Sequence, residues 1–452
     1  MKKSTLALAM ATGVLAQSAM AEGFIEDSKA TLKLRNFYIN NDNRDSATAK
    51  NANYQSEWGQ GFQLDFQSGY TAGTVGFGVD AIGLLGIKLD SGAGRHGNPT
   101  GLLDGGNVFP SDGDHAADDF ASLGLTAKAK ISKTELKLGT LLPKLPVIMY
   151  NDSRLVPQTF QGGQVTSNEI KDLSLIAGQI EKVKDRNSSN NEDLSISGAN
   201  GSGNSNIGER SNKFYYAGGD YKITKDLLFQ YYYGNLDDFY KQNFLGLVHN
   251  WSIGPGVLKS DFRYFNSKDD GKNSNDPLFY SSGNYLGQAS GKGKVDNNLY
   301  SALFLYTVAG HTFGGGYQVS NGDSDFPWLN QGNGSSNYTI TDAQIQKFGR
   351  AGEKTWQARY AYDFAAIGFP GATAGITYLS GSNIDTVATN GTVAGNNRNE
   401  WERDITLAYV VPEGTLKGLG VTWKNGMWRD NIPGQRDQDE NRLILSYSIP
   451  LL

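Results

Sequence analysis

The 452-residue chain contains no cysteine, which excludes disulfide staples, thiol nucleophiles and thiolate metal sites. Histidine is scarce: His96, His115, His249 and His311 are scattered, without the spacing of a zinc site or a hydrolase triad. No apolar run approaches the ~18 residues that a membrane-spanning helix needs, and the mean hydropathy is negative. A surplus of basic residues is also missing. Lys and Arg total 41 against 46 Asp and Glu, a formal charge of −5, which argues against nucleic acid as a partner. G-x-S-x-G, P-loop and HExxH motifs are absent. Gly76-Phe77-Gly78-Val79-Asp80-Ala81 looks like a dinucleotide fingerprint, but its flanks alternate with period two and no helical pattern follows. Asp112, Asp114, His115 and Asp118 lack the ligand spacing of a calcium loop and read as a solvated acidic loop. No cofactor, metal or catalytic step is expected.

What fills the chain instead is alternation of apolar and polar residues. Phe62, Leu64 and Phe66 interleave with Gln63, Asp65 and Gln67, and Phe77 and Val79 follow with Gly76, Gly78 and Asp80 between them. Successive side chains of a strand point to opposite faces, so each such segment has one greasy and one wet face. The pattern returns in Leu123–Ile131, Leu136–Leu138, Leu227–Tyr233, Phe262–Tyr264, Phe313–Val319, Trp356–Tyr362, Ile405–Val411 and Leu443–Ile449. Glycine is abundant at 57 residues, Tyr and Phe are frequent at 23 and 21, and proline is scarce at 12. Lipid outside and water inside a closed sheet explains all of this.

The first residues read as a secretory signal peptide over 1–21. Lys2 and Lys3 precede a short apolar core from Leu6 to Leu15, and Ala19-Met20-Ala21 forms a small-residue cleavage site. The barrel then occupies 22–452. Short connections (Ala72-Gly73, Ser132-Lys133, Ile223-Thr224-Lys225, Pro412-Glu413-Gly414) alternate with long ones rich in Asn, Gly, Ser and Asp, at 40–56, 91–119, 183–212, 267–295, 320–352, 381–402 and 430–440. Short periplasmic turns and long extracellular loops behave this way, and the length suits roughly 16–18 strands. Strand 1 fits less well: Phe37 and Ile39 spoil its polar face and read as girdle aromatics and apolars at the membrane interface. The connection 141–170 is apolar and stiffened by Pro143 and Pro146, which suits a loop folded back against the inner wall, delivering Asn151-Asp152-Ser153-Arg154 as a constriction.

Eight segments follow one another along the chain: Gly23-Phe24-Ile25-Glu26-Asp27-Ser28, Leu34-Arg35-Asn36, Trp58-Gly59-Gln60-Gly61-Phe62, Gly73–Ala81, Ser153-Arg154-Leu155-Val156-Pro157-Gln158-Thr159, the pattern Leu236/Asp238/Tyr240/Gln242, Gly352–Tyr360 and Glu440-Asn441-Arg442-Leu443. Together, in this order, they resemble the OprD-type family of substrate-specific outer-membrane porins. The resemblance implies an 18-stranded barrel, a monomer or loose homotrimer. It implies a pore pinched by infolded loops, with a ladder of basic side chains guiding carboxylates. By motif, Arg35, Arg154, Arg359 and Arg442 are the ladder candidates. Lys424 keeps a charge where Thr422 replaces an arginine, and Ser153 and Asp152 complete the constriction. Lys128, Lys130 and Arg263 have lumen-facing parity without motif support, and the two lysines read as wall residues near a mouth. The chain departs from the family pattern at Thr377, where the ladder often has a basic residue, and at Lys347, where relatives tend to have an Asp of an acidic pocket, and it ends in Leu452 rather than Phe.

The expectation is thus an all-β, single transmembrane antiparallel barrel of about 18 strands with infolded constriction loops, set in the bacterial outer membrane. Its partners are small solutes together with outer-membrane lipid and lipopolysaccharide. The solutes favoured are small or aromatic monocarboxylates, then amino acids or short peptides. The alternatives are a barrel acting as adhesin or enzyme, and a soluble β-propeller, for which no 40–50-residue repeat is found.

Overall fold

A computed structural model of the chain describes residues 23–44, 54–92, 94–96, 108–113, 115–197, 210–275, 294–330, 336–387, 393–432 and 435–452. The signal peptide expected at 1–21 and Asp114 lie outside these residues.

Eighteen long strands form one antiparallel barrel. The first half comprises β1 (Lys29–Asn43), β2 (Tyr54–Gln67), β3 (Gly76–Asp90), β4 (Asp119–Ile131), β5 (Thr134–Leu141), β6 (Thr159–Ser167), β7 (Leu173–Lys184), β8 (Phe214–Lys222) and β9 (Leu227–Leu236). The second comprises β10 (Tyr240–Ile253), β11 (Gly256–Asp269), β12 (Asp296–Val308), β13 (His311–Asn321), β14 (Lys354–Asp363), β15 (Ala372–Val387), β16 (Val393–Val410), β17 (Gly420–Asp430) and β18 (Gln438–Pro450). Each strand pairs with the next, and β1 closes the ring on β18 through Arg35↔Ser446 and Tyr38↔Leu443. Closure satisfies every edge, the condition a sheet must meet to sit in lipid.

The alternation read from the sequence is the orientation observed. Phe77, Leu123, Leu125, Leu138, Phe313, Trp356, Leu407 and Leu443 lie exposed on the outer face. Their neighbours Thr126, Lys128, Gln230, Asp261, Gln318, Gln357 and Arg442 are buried inside. Aromatic belts mark the two membrane interfaces. Trp356, Tyr378 and Trp401 stack in a row near the loop ends of β14–β16, and His311, Phe313, Tyr360 and Tyr362 cluster near the turns. The Ala309-Gly310 turn has both residues at positive φ, 48° and 82°. That is the type I′ geometry whose twist matches a hairpin, and glycine takes it without a Cβ penalty.

Three expectations need correction. The connection 141–170 contains strand β6, so the infolded element is 142–158. The 381–402 connection is mostly strand, since β15 runs to Val387 and β16 starts at Val393. Phe37 and Ile39 are not interface residues: they point inward and are buried with Ile82, Leu84, Phe120, Val108, Phe109, Leu155 and Val156. A second apolar cluster joins inward Phe160, Phe214, Phe244, Phe265 and Leu299 to Val147, Ile148, Ile196, Phe326 and Trp328 of the loops. Apolar residues at lumen parity are therefore the sockets on which infolded loops pack. Ser195–Ser197 and Trp328–Asn330 pair as a small antiparallel ladder between two of those loops.

Candidate functional site

Two of the infolded loops bring polar groups against the charged inner wall. The first, 142–158, opens with a small hairpin (Lys144–Leu145 against Ile148–Met149) whose apolar side sits in the second cluster. It then closes on itself: the Gln158 amide donates to the Asn151 carbonyl at 2.8 Å, and the Ser153 amide donates to Asn151 Oδ1 at 2.8 Å. This local bracing fixes Asp152, Ser153 and Arg154. Arg35 on β1 grips the tip, with Nη1 on Asp152 Oδ1 at 2.7 Å, Nη2 on Oδ2 at 3.2 Å and a further bond to the Arg154 carbonyl at 2.7 Å. The bidentate geometry is the strong form of an arginine–carboxylate contact. Arg154 is buried, bonds Ser153 Oγ at 3.2 Å and lies 3.7 Å from Glu440 Oε2.

The second, 322–353, falls in the long polar connection expected at 320–352. Of its described residues, 322–330 and 336–353, segment 338–346 is zipped to the inner wall. Three arginines take its carbonyls: Arg263 holds Tyr338 at 3.0 Å, Arg359 holds Ile340 at 2.5 Å and Arg442 holds Gln344 at 2.8 Å. Each is also bonded by the side chain two residues earlier on the same inward face. Asp261 takes Arg263 at 2.9 and 2.7 Å, Gln357 takes Arg359 at 2.5 Å, and Glu440 takes Arg442 at 2.5 Å. Carboxylates of β16 take the loop's amides. Asp404 accepts from Gln344 at 3.0 Å, and Glu402 accepts from Ile345 and Gln346 at 2.7 and 2.8 Å. Farther out, Arg350 and Glu400 pair at 3.1 Å in full burial, with the Trp428 indole N–H on Glu400 at 2.8 Å.

Arg35, Asp152, Ser153, Arg154 and Arg442 thus meet in one place, joined by Glu440. Arg359 belongs with Arg263 at a second place along the same zipped loop. Lys424 differs from all of them. It stands on β17 directly across from Arg442 and Thr406, within the electrostatic reach of Arg154, Asp404 and Glu440. Among the described residues its ammonium makes no hydrogen bond or ion pair. Like charges directly opposite one another in a sheet destabilise it, so an anion placed between Lys424 and Arg442 would relieve that repulsion.

The wall lysines behave as read. Lys128 is buried against Asp80 at 2.6 Å and the Ser68 carbonyl at 2.7 Å, and Lys130 sits over the Tyr70 ring. Sequence reasoning missed Arg186, Asp185, Glu57, Glu402 and Asp404. Arg186 is buried and feels Arg442, Glu57 and Glu440. Burial pushes the adjoining Asp185 carboxyl up to about 6, against the pull of Arg186 and a bond from Gln158 at 3.2 Å. The signal was the charge run Lys182, Lys184, Asp185, Arg186 opening a connection otherwise rich in Asn and Ser. The histidine expectation also needs correction: His96 has two partners distant in sequence, Glu57 at 2.7 Å and Ser111 at 2.9 Å.

Known proteins similar to this chain share its barrel architecture. A sequence profile described as outer membrane porin, OprD family, matches residues 22–451. The chain is 37% identical over 457 residues to the porin-like protein GalP of Pseudomonas putida, covering 100% of both. It is 32% identical over 476 residues to Porin D of Pseudomonas aeruginosa, covering 100% of this chain and 99% of that one. Among solved structures, Pseudomonas aeruginosa OccK8 (OprE) superposes with a TM-score of 0.81 at 56% identity, covering 95% of this chain and 100% of that one. Pseudomonas aeruginosa OpdK, solved with vanillate, gives 0.80 at 35% identity over the same shares.

Proposed function

The chain belongs to the OprD family of substrate-specific outer-membrane porins, and from that premise we propose that its pore selects small solutes carrying a carboxylate, aromatic monocarboxylates foremost and amino acids or short peptides next. The observation that supports this reading is Lys424, an ammonium with no hydrogen bond or ion pair among the described residues, facing Arg442 across the strand pair in the part of the lumen where Arg442 meets the infolded loop. Arg263, Arg359 and Arg442 already spend donors on loop carbonyls, whereas Lys424 has three donors to offer. Of the acidic groups nearby, Glu440 is held by Arg442 and Gln344, and Asp404 takes the Gln344 amide on Oδ2 while its Oδ1 is buried without a hydrogen bond. An entering carboxylate replaces its hydration shell with Lys424 and the outer edges of Arg442 and Arg154, then moves to Arg35 or Arg359. A row of moderate sites lets a solute enter and also leave. That OpdK was solved with vanillate, an aromatic carboxylate, agrees in ligand class. No step breaks or forms a covalent bond. The exposed apolar belt is left to lipid and lipopolysaccharide, and one barrel is a complete pore, so a monomer suffices, with loose trimers compatible.

The test is single-channel conductance in a planar bilayer with benzoate, glutamate and arginine titrated in turn. Wild type should be blocked by benzoate at lower concentration than by arginine. Lys424→Met should weaken benzoate block by roughly tenfold, the scale of one charge-assisted hydrogen bond, while leaving open-channel conductance in place. Equal benzoate block in wild type and Lys424→Met would defeat the proposal. Arg154→Ala is the second variant: it removes a constriction charge as well as a partner of Glu440, so both block and conductance should change.

A further inference from the structure

Ser111, His96 and Glu57 form a hydrogen-bonded relay near the loop end of β2, its Glu57 end within the electrostatic reach of Arg154 and Arg186. Glu57 is 1% exposed; its Oε2 accepts the Val108 amide at 2.7 Å and its Oε1 lies 2.7 Å from His96 Nδ1. His96 is 2% exposed, and its Nε2 lies 2.9 Å from Ser111 Oγ. An ionised carboxylate only accepts, so in the neutral imidazole Nδ1 carries the hydrogen and Nε2 is left as an acceptor toward the Ser111 hydroxyl. The base and the group that orients it are thereby shut away from water. Ser111 itself is exposed, at the start of a two-residue ladder in which Ser111–Asp112 pairs with His115–Ala116. Nucleophile, base and orienting carboxylate stand in the order and at the distances that activate a serine. A bridge that only tied the loop to the wall would need no carboxylate behind the imidazole and no exposed hydroxyl in front of it.

We propose that Ser111 is an activated nucleophile at the extracellular rim, able to accept acyl or phosphonyl groups from reactive esters and fluorophosphonates. With a fluorophosphonate, Ser111 Oγ attacks phosphorus. The O–P bond forms, the P–F bond breaks and fluoride leaves with the bonding pair. The hydroxyl proton passes to His96 Nε2, and the imidazolium, steadied by Glu57, returns it to water.

The experiment treats the folded full-length barrel in detergent with a fluorescent fluorophosphonate, read by gel fluorescence and intact mass. Heat-modifiable gel mobility reports folding for every variant. Wild type should gain a single phosphonyl group on Ser111. Ser111→Ala, a change at an exposed position, should gain none. His96→Gln should label roughly 100-fold more slowly, the scale of general-base assistance, and Glu57→Gln should shift the pH profile of labelling. Folded wild type that stays unlabelled under conditions that label a serine hydrolase overturns the proposal. So does equal labelling of Ser111→Ala. Should His96→Gln fail to fold, the wild-type and Ser111→Ala pair still decides.

Discussion

At the residue scale, the pore wall separates charges that hold the protein together from charges left for a solute. Arg263, Arg359 and Arg442 have the inward parity and positive charge of a ladder, yet each is bonded to a loop carbonyl and to the residue two positions before it. Among the described residues, Lys424 has neither kind of tie. Thr377, where the family pattern often has a basic residue, lies between Arg359 and Asp404 in register, so the gap it leaves is beside a site already occupied by an arginine. Asp185 adds a titration to the constriction. Its folded-state carboxyl titrates at about 6 because of burial, above its ordinary value, so the folded chain holds that proton to higher pH than the unfolded one. The linked stability is fully present below the unfolded value and is lost as pH rises through about 6. In function the sign is the reverse of an acid switched on: as pH falls from 7 to 5, Asp185 loses its charge and Arg186 loses a counter-charge. The pore should therefore become more anion-selective on acidification, seen as a shift in reversal potential under a salt gradient. Asp185→Asn should show the acidic behaviour at both pH values, and a shift that persists in Asp185→Asn would assign it to another group.

At the scale of elements, the strands were legible and the infolded loops only partly so. Period-two alternation in Leu123–Ile131 or Leu443–Ile449 fixes orientation because one side meets lipid and the other does not. The same rule failed at Phe37 and Ile39, since it assumes that every inward residue meets water. Those two meet Leu155 and Val156 of a loop more than a hundred residues away, and no local pattern can report that. Loop 142–158 revealed itself because it is apolar and proline-stiffened. Loop 322–353 did not, because what holds its inner segment is backbone hydrogen bonding, to which sequence composition is blind. Glu402 shows how much rests on this. It is fully buried and accepts two successive amides, from Ile345 and Gln346. Removing it orphans both, at about 1–3 kcal/mol each. Glu402→Ala should free the 338–346 segment from β16, raising single-channel conductance and lengthening the time spent in large-conductance substates. Glu402→Gln retains one acceptor oxygen and should fall between. Unchanged conductance in Glu402→Ala would mean that the arginine–carbonyl bonds alone keep the loop in place.

At the scale of the whole molecule, the barrel carries two separate apolar regions, one inside and one facing out. Its apolar clusters lie inside, where loops pack on inward Phe and Leu residues, while an independent apolar belt faces out. The two contribute differently. Inside, burial removes apolar surface from water and so stabilises loop closure. Outside, the chain gains from matching hydrocarbon, and the penalty for a wrong residue depends on its depth in the bilayer. Leu247 lies on the outer face of β10, paired with Phe229 on β9 and with Phe262 on β11, four residues in from Trp251 of the aromatic belt. Leu247→Arg should cost about 2–4 kcal/mol of folding free energy, as expected of a cation near the bilayer midplane, measured by reversible urea unfolding from phospholipid vesicles. Because the lumen and its loops are untouched, the fraction that does fold should keep wild-type conductance and benzoate block. A variant that folded normally but lost selectivity would instead tie this part of the wall to the pore's interior.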